Sequence, residues 1–182
     1  MRNIIYYVAS SIDGFISRTD QSIEGFVAES AGVVKYLEDL RNFDTVIMGR
    51  RTYEFGYRYG LRPGQPAYQH MKHYIFSSSL KFESHDSNVH VCAPDLSLIR
   101  RLKEGKGTDI YLCGGGELAG WLLDNEQIDI LKLKLNPLIL GQGIRLFGNS
   151  TKDVQTEVMD SVLYDKGLQI ITYKIKYPDE TH

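Results

Sequence analysis

The amino-acid sequence predicts an α/β protein built on a mixed, mostly parallel sheet with helices on both faces. Three observations carry this reading. Short apolar runs alternate with segments of helical period, glycines mark two strand-to-helix turns, and the C-terminal part changes to an antiparallel hairpin pattern. A chain of 182 residues has the length of one domain and can bury roughly 70% of its unfolded surface. Residues 1–178 are read as that domain and 179–182 as a short polar tail.

The elements follow in order. Ile4 to Ala9 is nearly continuous apolar sequence, as in a strand covered on both faces. Val33, Val34, Leu37 and Leu40 fall at helical spacing, opposite Lys35, Glu38, Asp39 and Arg41, and predict an amphipathic helix with those aliphatics inward. Thr45 to Met48 is a buried strand; Gly49 follows, and Thr52 to Phe55 reads as a first helical turn. His73 to Phe76 and Asn88 to Ala93 are two further strands. Pro94 and Asp95 open a helix carrying Leu96, Ile99 and Leu102, which Gly105 and Gly107 end. Asp109 to Cys113 is a strand, Leu118, Trp121, Leu122 and Leu123 form a helical stripe, and Ile128 to Leu135 returns as a strand. Glu157 to Tyr164 and Leu168 to Lys176, joined by Asp165-Lys166-Gly167, make the hairpin.

Composition excludes several classes of function. With 42% hydrophobic and 24% charged residues the chain is ordinary for a globular protein. Its net charge is −2 and its basic residues are scattered, which argues against a nucleic-acid partner. No apolar stretch reaches the length of a membrane span and the start lacks a signal-peptide pattern, so a cytoplasmic protein is expected. Cys92 and Cys113 lie among apolar neighbours and read as small hydrophobes. His70 and His73 could share a helical face, but without matching cysteine or acidic spacing no metal is expected.

Two segments carry chemistry. Val46-Ile47-Met48-Gly49-Arg50-Arg51-Thr52 puts a glycine and two arginines between a strand and a helix start, where unpaired N–H groups and guanidinium donors suit a phosphate. The alternative is a plain turn capped by Thr52. Ile110 to Leu118 repeats the arrangement around Gly114, Gly115 and Gly116, whose entropic cost points to close backbone approach by a ligand. The pattern Gly114, Gly116, Ala119 lacks the acidic residue of a Rossmann site after the next strand, and no Walker loop is present.

Five motifs in order give the sequence a resemblance to a known family. They are Ser11-Ile12-Asp13-Gly14-Phe15-Ile16, Met48 to Thr52, Ile75 to Ser79, Gly114 to Leu118, and Pro137 to Phe147. The chain resembles the dihydrofolate-reductase-like family, and within it the reductase domain of the bifunctional riboflavin-synthesis deaminase/reductase and its stand-alone relatives. The resemblance implies a three-layer α/β/α fold and NADPH bound across the sheet. Gly49, Arg50, Arg51 and Thr52 would hold the pyrophosphate and 2′-phosphate, and Ser77 and Ser78 the adenosine side. Cys113, Gly114, Gly115, Gly116, Glu117 and Leu118 would hold the remaining phosphate and nicotinamide face, with Ala9 and Ile16 flanking the nicotinamide. Asp13 would contact the substrate or move a proton, although Asp-Gly is also a common turn dipeptide.

Two departures bear on the substrate. Dihydrofolate reductases carry a carboxylate in the helix before the Gly-Arg motif; here the count reaches Val33, with Glu29 and Glu38 out of register. Relatives usually show a threonine shortly before Pro137, where this chain has Lys134, whose side chain either points into the substrate pocket or snorkels to solvent. Tyr53, Tyr57, Tyr59 and Tyr68 either rim a planar substrate or pack the core. The sequence therefore points to an NADPH-dependent reductase of a small nitrogen heterocycle or ribosylaminopyrimidine. The alternatives are a dihydrofolate or pterin reductase and a non-catalytic NADPH-binding module, and a homodimer is expected from the resemblance.

Overall fold

A computed structural model describes residues 1–178, so the proposed tail at 179–182 lies outside the described residues. In chain order, β1 (Ile4–Ser10) and β2 (Phe15–Ser17) precede α1 (Ala31–Leu40), β3 (Thr45–Gly49) and α2 (Arg50–Phe55). Next come β4 (Lys72–Phe76), β5 (Val89–Cys92), α3 (Leu96–Glu104), β6 (Ile110–Gly114) and α4 (Gly116–Asp124). The chain ends with β7 (Ile130–Leu135), β8 (Ile144–Arg145), β9 (Gln155–Leu163) and β10 (Gln169–Lys176). No helix among the described residues is long and apolar enough to cross a membrane.

Eight strands form one sheet in the order β5-β4-β3-β6-β1-β7-β10-β9. The first six run parallel, because crossovers, all but that from β4 to β5 through a helix, return the chain to the same end of the sheet, and the C-terminal hairpin adds two antiparallel strands. Ile99 of α3 and Leu118, Ala119, Leu122 and Leu123 of α4 pack with Ile4, Tyr6, Ile47 and Leu112 on one face. Leu40 of α1 and Tyr53 of α2 pack with Tyr7, Val46, Met48 and Tyr111 on the other. Burying each such side chain contributes about 1.5–3 kcal/mol, and the two apolar faces make the three layers.

Helix α1 corrects the sequence reading. Val34 and Leu37 are 56% and 55% exposed, whereas Asp39 is buried. The turn is set by polar contacts rather than by the aliphatic stripe. Asp39 accepts from Lys132 Nζ at 2.8 Å and the Tyr7 hydroxyl at 3.0 Å, and pairs with Lys35. Tyr36 reaches across to the Tyr111 hydroxyl at 2.6 Å. A carboxylate with three donors can be buried where an unpaired one cannot.

His70 and His73 do not share a helical face, because His73 is a fully buried residue of β4. The Tyr68 amide donates to its Nε2 at 3.1 Å, so the proton sits on Nδ1 and bonds the Met71 carbonyl at 3.0 Å. Burial pushes its pKa down to about 4. The shortest pairing, β2 with β8, stands apart from the main sheet as a two-stranded ribbon.

Candidate active site

The four α-helices among the described residues begin in two ways. Helix α1 is capped by the Ser30 hydroxyl, which accepts from Gly32 and Val33 amides at 3.1 and 3.2 Å, and α3 by Asp95, which accepts from Ser97 at 2.8 Å. Helices α2 and α4 begin after Gly49 and Gly115 with no side-chain cap. Their first-turn amides are left for water or a ligand and carry the positive end of the helix dipole. Both starts follow adjacent parallel strands, with Met48 of β3 in register with Gly114 of β6. Ligand sites in α/β sheets form at such carboxyl ends.

A cleft of about 730 Å³ lies there. Of the residues anticipated from sequence, Ala9, Ile16, Gly49, Arg50, Arg51, Thr52, Cys113, Gly115, Gly116, Glu117 and Leu118 line it. Phe55, Trp121 and the ribbon residues Ser17, Ile144 and Arg145 line it too and were missed by sequence reasoning. Ribbon pairings of two or three residues carry no periodicity to detect.

The other anticipated residues are placed differently. Gly114 is buried behind the cleft surface, and Ser77 and Ser78 lie in the turn after β4, outside the lining. The Ser77 hydroxyl accepts from the Ser79 and Leu80 amides at 3.2 and 3.0 Å and so shapes that turn. Asp13 is also outside the lining. Its carboxylate accepts from the Ser11 hydroxyl at 2.6 Å and from the Leu140 and Gly141 amides at 3.1 and 2.7 Å. The Ser11 bond leads the bonds that hold its pKa down at about 2. Through these bonds Asp13 ties the loop after β1 to the loop around Leu140.

The glycine run has reasons within the protein as well. A Cβ on Gly116 would lie 2.2 Å from the Arg145 carbonyl oxygen, and one on Gly115 would meet the Thr52 hydroxyl at 3.2 Å. Close approach of the ribbon, and not only of a ligand, excludes a side chain there. At Gly49 a Cβ would meet nothing nearer than 3.8 Å. The two arginines differ too. Arg50 bonds Glu54 at 2.8 Å and Ser79 at 3.0 Å, whereas Arg51 has no protein partner among the described residues.

The tyrosines sort themselves by burial. Tyr53 is buried core and Tyr59 is 71% exposed. Tyr68 instead joins a hydroxyl and thiol cluster, its oxygen 3.8 Å from Cys113 Sγ. Lys134, for which the sequence left pocket and solvent open, turns inward, with its ammonium 3.7 Å from the centroid of the Tyr36 ring. Burial there holds its pKa down at about 8. On α1 the buried acid is Asp39, already paired with Lys132 and Lys35, and Val33 stands where a pterin-binding carboxylate would be expected.

The strand order and the cleft at the parallel strand ends define a dihydrofolate-reductase-like α/β protein. The Enterococcus faecalis dihydrofolate reductase complexed with NADP(H) superposes with a TM-score of 0.67 at 15% identity, covering 96% of this chain and 97% of that one. The chain belongs to the RibD C-terminal domain family, whose model matches residues 2–170. It is 30% identical over 170 residues to the uncharacterized protein YwjB of Bacillus subtilis (strain 168), covering 93% of this chain and 96% of YwjB. The Thermotoga maritima diaminohydroxyphosphoribosylaminopyrimidine deaminase/5-amino-6-(5-phosphoribosylamino)uracil reductase matches with a TM-score of 0.70 at 16% identity. That match covers 96% of this chain and 57% of that one.

Proposed function

We propose that this protein is an NADPH-dependent reductase of a small nitrogen heterocycle of the ribosylaminopyrimidine class. The observation that carries the reading is the pair of uncapped helix starts facing one cleft, with unpaired Arg51 at its edge. This donor set suits a dinucleotide. The first-turn amides of α2 and α4 would take phosphate oxygens, and Arg51 the 2′-phosphate. Ala9 and Ile16 would flank the nicotinamide, while Phe55 and Trp121 would keep water from the cleft. The bound dinucleotide would supply hydride, and the protein aligns the reacting atoms.

The pterin alternative is weaker on this geometry. Reduction of a pterin needs a poised acid beside the ring, and the buried carboxylate of α1 is neutralised by two lysines. The test is steady-state NADPH oxidation with a ribosylaminopyrimidine and with dihydrofolate at matched concentrations. The ribosylaminopyrimidine should be the better substrate, and a kcat/KM for dihydrofolate of about 10⁴ M⁻¹s⁻¹ or more would overturn that preference. Saturable NADPH binding without oxidation by either compound or by simple reactive carbonyls would point to the non-catalytic module.

A further inference from the structure

Strand β7 alternates leucine and lysine. Leu131 and Leu133 pack toward α3 and α4, which turns Lys132 and Lys134 toward α1. The two lysines then meet different fates. Lys132 is ion-paired with Asp39 at 2.8 Å. Lys134 has neither a carboxylate within 4.0 Å nor a hydrogen-bond acceptor among the described residues.

What faces Lys134 is aromatic and neutral. The Tyr36 ring of α1 and Cys113 of β6 are its neighbours, and Tyr111 of β6 and Tyr68 from the segment before β4 join those two in one hydroxyl and thiol cluster. Its register neighbours on β1 and β10 are Ala9 and Ile170, which do not titrate. Burial pushes the three phenols and the thiol up, so all four stay protonated near neutrality and none balances the charge. A cation withdrawn from water without a counter-ion is destabilising, and a site that keeps one with three unused N–H donors is built to meet an acceptor. Lys134 is not itself among the residues that line the cleft assigned to the dinucleotide, but Ala9, its register partner, and Cys113 line it.

We propose that Lys134 binds the oxygen or nitrogen of the C=O or C=N bond that is reduced, and gives it the proton that hydride addition requires. This deepens the reductase reading and rests on it. The carbon gains hydride, the two electrons and one hydrogen that a reduced nicotinamide gives up as it is oxidised. The π pair of the double bond moves onto the oxygen or nitrogen, which takes a proton from Lys134 Nζ, and the neutral amine regains one from water. The substrate class is a planar conjugated compound, uncharged at the acceptor, with Tyr36 and Tyr68 beside it.

Two readouts test this, one of them free of cofactor. In lysine-13Cε-labelled protein without NADPH, one signal should titrate near pH 8, be absent from Lys134→Met, and move when uracil or lumazine is added. In turnover, Lys134→Met should lower kcat by about 10²-fold or more and lose the decline of wild-type kcat above about pH 8. Lys134→Arg should regain substrate affinity without the rate, since a guanidinium does not give up its proton. NADPH affinity should stay within about threefold in all variants, a change under roughly 0.7 kcal/mol. A Lys134→Met enzyme turning over within threefold of wild type, or no lysine titrating below pH 9, would overturn the proposal while leaving cofactor binding intact. Failure of wild-type protein to bind NADPH would instead overturn the reductase reading, and with it the proton-donor role.

Discussion

Replacing Arg51 with alanine should weaken NADPH and spare NADH. Arg50 already spends its guanidinium on Glu54 and Ser79, so Arg50→Ala removes an exposed helix pair of about 0.3–0.5 kcal/mol. Arg51 has no partner to lose among the described residues, and its whole charge would be available to a 2′-phosphate. A hydrogen bond to a charged group contributes about 1.5–3 kcal/mol, so Arg51→Ala should raise the NADPH Kd about 10- to 150-fold. The NADH Kd should move less than about threefold, within roughly 0.7 kcal/mol. The chain supplies its own probe, because its single tryptophan, Trp121, lines the cleft and its fluorescence should be quenched on binding. Raising salt should weaken NADPH more in the wild type than in the variant. Equal losses for both cofactors would refute the assignment, and a larger loss in Arg50→Ala would transfer it to Arg50.

Three further outcomes are expected. Gly116→Ala puts a Cβ 2.2 Å from the Arg145 carbonyl and should cost about 1–3 kcal/mol, a fall in Tm of about 2–12 °C; Gly49→Ala, with no such neighbour, should melt near the wild type. Asp13→Asn should melt below the wild type at pH 7 and keep NADPH binding. The Asp13 pKa is lowered from 3.8 to about 2 in the fold, so its contribution is full above the unfolded value and is lost as pH falls through the folded one; a Tm gap that stays constant from pH 6 to pH 2 would contradict this. His73 falls from 6.5 to about 4, so the unfolded chain binds its proton first and stability drops as pH falls between those values, by on the order of 3 kcal/mol in full. Urea melts at pH 7.5 and 4.5 measure the drop, and a His73 ring signal titrating near 6.5 in folded protein would refute it.

The central strands β1, β3 and β6 were legible because each is a short apolar run ended by glycine or a polar turn, and burial on two faces demands that pattern. The face of α1 was not. Periodicity counts Val34 and Leu37 as inward residues, but the turn is decided by Asp39, whose partner Lys132 lies 93 residues away. Asp13 shows the same limit from the other side. Asp-Gly reads as a local turn, while the amides that hold its carboxylate belong to Leu140 and Gly141, 127 and 128 residues on. Of the cleft, the strand-end glycines and Arg51 were visible in sequence, whereas of the ribbon that narrows it only Ile16 was.

Lys134 had a signal that could have been read: alternating leucine and lysine in a strand fixes both lysines on one face, and the leucines must take the larger core. What sequence could not supply is the partner. On α1, Tyr36 and Asp39 are three residues apart, about 4.5 Å of helix rise; on β7, Lys134 and Lys132 are two apart, about 6.6 Å of strand. The helix runs back across the strand, so the two spacings place one α1 residue over each lysine. Asp39 meets Lys132 and cancels its charge. Tyr36 meets Lys134 and leaves the charge standing. If Lys134 meets the substrate as proposed, α1 brings the Tyr36 ring where the resemblance to dihydrofolate reductases would have it bring an acid, and the ionisable group lies on the facing strand with the opposite sign. A pocket organised around an ammonium selects for an acceptor atom on its substrate, and so for a carbonyl or imine over a group that must itself donate to a carboxylate.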